Sequence, residues 1–525
     1  MNLCSQLRTS RLFPALLPLV ATLVAAGAAA QTTGVTCFPA NKARNVNPDT
    51  HLVLTFSSPP EIGTSGLIRV YDAANHTLVD TLDLSIAAGP DPSRRPAPVP
   101  TTDIAPSTPT SPTTTTPAVR TIPANLHDFQ LTTIGGLEDF HFYPILVHGN
   151  VATITLHSHV LQYHQKYFVR IDPGVLTTAS GFRGFTNDRA WSFTTKAGPP
   201  AAGAMRVVVA ADGSGDFNTV QGAVDWAPDH PAHRITIFIR DGTYEEIVFF
   251  QHKSDLTIRG QDRDKVQLMY GNNSAFNPPM PGPSRRCAFS VYDSTGITLE
   301  NFSVSNTYYG QAEGLLVYGE RNIVAHMNIR GSGDALNLRG PVYLLDTAII
   351  GDGDTILGVG PAFFDRCTIE SVGPFMWIRN TEANHGNVFL DCTFKARERR
   401  LPENASAPHV PPAGATQQPA AARAFLGPVL ARLPMNHGLN YPYAEAVLIH
   451  CRLGGIPAEG WGPIEVNPAH LHLWEYESTD LEGKPIDTSQ RNPASKRLTM
   501  PQDAAVVAQY RDPAFVLGGW RPVVN

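Results

Sequence analysis

Isoleucine stands at positions 329, 349 and 369, and glycine at 331 and 351, so both residue types recur at one and the same spacing. The strings around them, NIVAHMNIRG, PVYLLDTAIIG and AFFDRCTIES, are short and rich in β-branched and aromatic residues. Related strings precede and follow them: ITIFI, DLTIRG, GITLENFSV and NVFLDCTFKA. Helical periodicity is nearly absent between them. A repeat of about 20 residues, with one or two strands and no helix, predicts a parallel β-helix. Each coil would stack on the last at about 4.8 Å. A β-propeller blade would repeat at roughly 40–45 residues. One helix is expected at the start of the array. Val220, Ala223, Val224 and Ala227 fall at i, i+3, i+4 and i+7, and Pro228 stops the pattern. It would cover the first coil, as the end of a solenoid must be covered.

The same spacing places two carboxylates in phase. Asp334 and Asp354 are separated by that repeat and follow Gly331 and Gly351 at equal offsets. On neighbouring coils they would stand one strand spacing apart. Two carboxylates that close do not both ionise easily, so one becomes a proton donor and the other a nucleophile or base. The competing reading is two solvated turn residues, because the chain has 46 acidic residues and coincidences of phase occur.

Upstream of the array the chain reads differently. Arg8 and Arg11 precede an apolar stretch from Leu12 to Ala30 that closes on Ala28-Ala29-Ala30, the pattern of a cleaved export signal. Residues 1–30 are therefore expected to be a signal peptide, and the protein secreted or periplasmic. No later run reaches the roughly 20 apolar residues of a membrane span. Residues 31–198 alternate as short strands, with Leu52, Leu54 and Phe56 at the start and Tyr167, Val169 and Ile171 near the end. A small β-sandwich is predicted there, interrupted near 89–123 by a stretch dense in Pro, Thr and Ser that has no means of packing a core. FPANKARNVNPDTHLVLTF and KYFVRIDPGVL…WSFTT resemble bacterial Ig-like modules, for which a spacer or adhesion role is the default. Residues 199–205 form a linker, and residues 206–525 form the larger domain.

Composition narrows the function. Charged residues make up 16%, and the formal net charge is -6, which argues against a nucleic-acid binder. Beyond the signal, five cysteines remain, an odd number with neither a disulfide framework nor zinc-ligand spacing. Cys367, Cys392 and Cys451 lie in similar strings, DRCTI, LDCTF and IHCRL. They read as small apolar residues stacked in a repetitive core, with a Cys367–Cys392 disulfide as the alternative. His252, His326 and His437 read as surface or packing residues.

VAADGSGDFNTVQGAVDWAP, ITIFIRDGTYEEIV and LTIRGQDRDKVQL resemble the opening of the carbohydrate esterases called pectinesterases, with Glu246 in the motif position. The likeness runs on to the C-terminus. It implies an all-β protein: a right-handed, pectin lyase-like parallel β-helix behind the sandwich. It also implies roles. Gln311, in Gln311-Ala312-Glu313-Gly314-Leu315, matches an oxyanion donor. Asp334 matches the general acid/base, but Gly333 replaces the family's second oxyanion glutamine. Asp354 matches the nucleophile, in a string whose two aromatic positions have become Thr355 and Leu357. Arg432 matches the arginine that pairs with the nucleophile, in a string that has lost its tryptophan, and Trp461 matches a weaker string. Tyr309, Phe375, Trp377 and Trp461 are the expected sugar-binding aromatics, with Tyr308 nearby. The segment from Arg397 to Ala422 is expected to form a loop over the cleft.

The resemblance thus implies a monomeric esterase that removes methyl groups from pectin, a polygalacturonate, without metal or cofactor. Restoring the lost donor by Gly333→Gln is expected to raise turnover, unless the glycine is needed for a backbone angle that no other residue tolerates, which Gly333→Ala would test. Four alternatives stay open: a glycosidase using the paired carboxylates, a calcium-dependent lyase using Asp352 and Asp354, a catalytically weakened or inactive wall-binding protein, and an esterase for a different acyl group.

Overall fold

The computed structural model describes residues 34–93, 128–398, 427–432, 441–464 and 466–524. The signal segment, most of the Pro/Thr-rich stretch, His437 and nearly all of the 397–422 segment lie outside the described residues. From Arg206 onward the strands form three parallel sheets of 11, 8 and 7 strands, each running the length of the array. The chain visits them in turn: Asn322–Ala325, Asn328–Arg330, Leu336–Arg339, then Val342–Leu345, Ala348–Ile350, Ile356–Gly358. This is the parallel β-helix expected from the repeat. Ile329 pairs in register with Ile349, and Ile349 with Ile369. All three are essentially inaccessible, and each such side chain stabilises the stack by about 1.5–3 kcal/mol.

The corner between the first and second sheets explains the cysteines. Asn301, His326, Asp346, Arg366, Asp391 and His450 all have positive φ, between 42° and 62°. Each is followed by a residue that turns inward: Phe302, Met327, Thr347, Cys367, Cys392 and Cys451. Cys367, Cys392 and Cys451 are free thiols in this buried column, and no disulfide joins Cys367 to Cys392. His326 pairs with Asp346 across one corner step at 2.9 Å, and the exposed His252 pairs with Asp293.

The helix Val220–Trp226 lies over the first coil, with Val220, Ala223 and Val224 buried. Its first turn is held by Glu246, whose two oxygens accept from the Val220 and Gln221 amides at 2.8 and 2.9 Å. Burial pushes the Glu246 carboxyl up to about 8. At the far end, helices Ala504–Tyr510 and Pro513–Val516 cover the outside of the first sheet, where Val507, Tyr510 and Val516 pack on Phe363, Val447 and Ile449.

The N-terminal residues form a four-stranded and a five-stranded sheet around Leu54, Val70, Val169, Trp191 and Phe193. This unit is not hung on a loose tether. Asp49 accepts from the Asn218 and Thr219 amides at the start of the first-coil helix. His148 pairs with Glu245 at 2.8 Å. Phe140, Tyr143 and Leu146 share an apolar cluster with Phe249, Tyr270, Phe276 and Tyr308 of the β-helix.

Candidate active site

The third sheet positions the site. Leu315, Leu336 and Ile356 are register partners on three consecutive coils. Two positions before each stands a carboxylate: Glu313, Asp334 and Asp354. The phase relation between Asp334 and Asp354 is therefore real. It also extends one coil further back than their own spacing reveals, because the coil that carries Glu313 is longer by a single position.

The three acids have different surroundings. Glu313 is fully buried, and its Oε1 accepts from both Nε (2.7 Å) and Nη2 of Arg286. Arg286 also reaches Asp334 Oδ2 at 3.3 Å. The Asp334 side chain is only 13% exposed. Burial first, then the charge of Glu313, push its carboxyl up to about 8, against the pull of Arg286; Asp354 adds to the rise. That rise favours the protonated form of Asp334, which can donate a proton. Asp354 is gripped end-on by Arg432: Nε donates to Oδ1 at 2.7 Å and Nη2 donates to Oδ2. That two-pronged grip fixes the carboxylate's orientation.

Gln311 is brought to the same place. Ala312 and Ser332 exchange backbone hydrogen bonds at 3.1 Å, which lays the Gln311 segment along the turn that carries Asp334. Ser274 Oγ donates to Gln311 Oε1 at 2.8 Å, and no described residue takes the hydrogens of its Nε2. The Trp377 ring carries two guanidiniums, Arg432 at 4.9 Å and Arg379 at 4.7 Å. Tyr309 is exposed, and its carbonyl accepts from Asn273.

Two expected sugar-binding residues are elsewhere. Phe375 is completely buried and packs edge-on against Phe394 in the core. Trp461 is 1% exposed, and its Nε1 donates to Glu475 at 3.2 Å. Neither ring has a face to offer a ligand. Tyr308 is also turned away; its hydroxyl bonds Tyr143 of the N-terminal unit. Asp352 does not join Asp354 as a cation site. It accepts from Ser332 at 2.9 Å, and no group of three or more His, Cys, Asp or Glu suited to a metal occurs among the described residues.

At Gly333 the backbone takes the angle that favours glycine. Gly333 has φ +72°, and a Cβ added there would lie 3.3 Å from the Gln311 backbone nitrogen. A glutamine would strain the backbone there and push on the donor it was meant to assist. Sequence reasoning missed Arg286 and Glu313. Glu313 carried a signal, an acid among small and apolar residues one coil before Asp334. Arg286 carried none, since it comes from a coil of irregular length.

Residues 206–401 match the family model described as Pectinesterase. "Probable pectinesterase 30" of Arabidopsis thaliana is 31% identical over 172 residues, which is 32% of this chain and 34% of that protein. "Pectinesterase" of Ralstonia solanacearum is 27% identical over 248 residues, 39% of this chain and 63% of its own length. This chain thus spans about a third of the first relative and under two thirds of the second. Among solved structures, "Pectin methylesterase from Carrot" is 22% identical, covering 62% of this chain and 95% of its own, with a TM-score of 0.46.

Proposed function

We propose that the chain is a carboxylic ester hydrolase that removes methyl groups from pectin, with Asp354 as nucleophile and Asp334 as general acid and base. One observation carries the reading: within the segment matched by the pectinesterase model, a carboxylate gripped by an arginine stands one coil from a carboxyl whose protonated form is favoured.

Asp354 attacks the ester carbonyl of a methylated galacturonate unit. The negative charge that develops on the carbonyl oxygen is met by the Gln311 amide. As the intermediate collapses, the proton of Asp334 goes to the departing methoxide, which leaves as methanol. The galacturonyl group is then held as an anhydride of Asp354. Asp334, now ionised, takes a proton from water, and the hydroxide attacks the galacturonyl carbon. The galacturonic acid unit, the Asp354 carboxylate and reprotonated Asp334 result, with one water consumed, and the new acid then loses its proton to solvent. Arg432 keeps the nucleophile aimed throughout. Trp377 and the exposed Tyr309 offer the sugar its apolar contacts.

The two-sheet unit, residues 31–198, is read as Ig-like and residues 206–525 as the esterase unit, with 199–205 between them. The signal-like residues 1–30 support export, and a cell-wall polysaccharide is a substrate met outside the cell. Among the described residues no helix is long and apolar enough to cross a membrane.

The test is to incubate the purified chain with methyl-esterified pectin and follow three products. Methanol without new reducing ends or unsaturated sugars supports the reading. Reducing ends would mean a glycosidase, unsaturation a lyase, and binding with no product a wall-binding module.

A further inference from the structure

We propose that the N-terminal two-sheet unit is a working part of the esterase: it clamps the buried loop 271–277, and from that loop Ser274 acts as a positioning residue that aims the Gln311 amide. The proposal rests on the esterase reading for the role of Gln311 and on separate contacts for the clamp.

Strand Val266–Tyr270 leads into the loop, and strand Phe289–Thr295 takes up the chain after it. On later coils the same corner is crossed within 331–335 and 351–355. Residues 271–277 are all buried. A buried segment outside any strand must find partners for its backbone polar groups away from water. Asparagine side chains supply them. Asn273 Oδ1 accepts from the Ala275 and Phe276 amides at 3.0 and 2.8 Å. Asn272 Nδ2 donates to the Arg285 and Cys287 carbonyls at 2.7 and 3.0 Å.

The N-terminal unit supplies the cover. The Asn277 side chain pairs with the backbone of His141, its Oδ1 accepting from the amide at 2.9 Å and its Nδ2 donating to the carbonyl at 3.2 Å. The Tyr143 ring lies flat on Phe276, with centroids 4.6 Å apart and planes 7° apart, and its hydroxyl bonds Tyr308. Asn273 Nδ2 joins the two sides, donating at 3.0 Å to the Pro92 carbonyl of the unit and to the Tyr309 carbonyl of the next coil. A Cβ added at Gly89 would come within 2.6 Å of the Phe276 ring, so unit and loop meet without a gap.

The clamp ends on Gln311. That residue is exposed, with φ +46°, and among the described residues only Ser274 holds its side chain by a hydrogen bond. The Ser274 amide donates to the Gln311 carbonyl at 3.3 Å, and the Ser274 hydroxyl donates to Gln311 Oε1 at 2.8 Å. Oε1 is thereby occupied, and Nε2 is left as the donating end of the amide. A preorganised donor stabilises an oxyanion without reorganising at the moment of reaction, and a group misplaced by about 1 Å loses much of its effect.

The test is a double-mutant cycle in the full chain on methyl-esterified pectin. Ser274→Ala is expected to lower kcat about 10-fold with KM little changed, and to have no further effect once Gln311→Ala has removed the amide it holds. Tyr143→Ala, on the far side of the clamp, should lower kcat in the same way, and Tyr143→Phe, which keeps the stacked ring, should lose less. Hydrogen exchange gives a readout that needs no turnover: the amides of 306–313 should exchange faster in Tyr143→Ala, and to a smaller extent in Tyr143→Phe, while the strands of later coils stay protected. Unchanged kcat in Ser274→Ala at an unchanged melting temperature overturns the proposal, as does an equal loss with and without the Gln311 side chain. Unchanged exchange at 306–313 in both folded Tyr143 variants overturns the part given to the N-terminal unit. Should the wild type release no methanol, the esterase reading fails; faster exchange in the Tyr143 variants then leaves the clamp standing, and unchanged exchange removes it.

Discussion

Two consecutive turns of the β-helix, 331–335 and 351–355, begin from the same sequence phase and end with different chemistry. Each has a glycine opening and an aspartate three positions on. In the first, Gly333 takes the left-handed conformation and Asp334 turns toward Arg286 and the buried Glu313. In the second, Asp354 itself is left-handed, at φ +46°, and turns to Arg432. One carboxyl shares its guanidinium with a stronger competitor and is buried; the other has a guanidinium's fork to itself. Position along the solenoid comes from the repeat, whereas protonation and role come from which cation each turn meets.

The largest way to break the comparison is to remove charge from the second turn alone. Asp354→Asn is expected to lower methanol release by at least about 10⁴-fold, with the melting temperature nearly unchanged. Activity surviving in that variant would take the nucleophile's role from Asp354.

Asp334→Asn attacks the first turn and is expected to cost about 10²–10⁴ in kcat. It should also change the pH dependence of stability. The folded pKa of Asp334 is raised, so between its unfolded value near 4 and about 8 the unfolded state binds fewer protons than the folded state. Stability must therefore decline as pH rises through that window, by at most about 1.4 kcal/mol per unit from this group. The difference in stability between wild type and Asp334→Asn, followed by denaturant unfolding from pH 4 to 9, should show that decline. A difference that is flat in pH would mean that Asp334 is ionised in the fold.

Arg432→Ala releases Asp354 without changing its chemistry. A loss of about 10²-fold, carried mainly in kcat, is expected for a misaimed nucleophile. A loss confined to KM would instead make Arg432 a substrate contact.

The smallest effect belongs to Gly333. Gly333→Ala should destabilise the fold by about 1–2 kcal/mol because of its positive φ, and Gly333→Gln should gain no turnover. Faster methanol release from Gly333→Gln would show that the turn relaxes to admit a second oxyanion donor.

What was legible in the sequence follows from the same contrast. The Ile329–Ile349–Ile369 column and the Asp334/Asp354 pair share one strict spacing, so both could be read. Glu313 falls a single position off that grid, although it occupies the same column. Arg286 precedes strand Phe289–Thr295 in an enlarged coil, the one that runs from Thr257 to its register partner Thr298, so no period locates it. Phe375 reads as a cleft residue because it lies two positions from Trp377. The short strand Met376–Ile378 itself alternates buried, half-buried, buried, but Phe375 stands one position before it, outside that alternation, and turns into the core. Trp461 misleads for another reason: a motif match says nothing about which way a ring faces.

The claim that environment divides the two aspartates is tested most directly by infrared difference spectroscopy of the carboxyl C=O stretch, taking wild type against Asp334→Asn between pH 5 and 9. A protonated-acid band present in wild type at pH 6, absent from the variant and vanishing with a midpoint near pH 8, is the expected result. A wild-type spectrum with no such band at pH 6, and Asp334 contributing only carboxylate absorption, would contradict it.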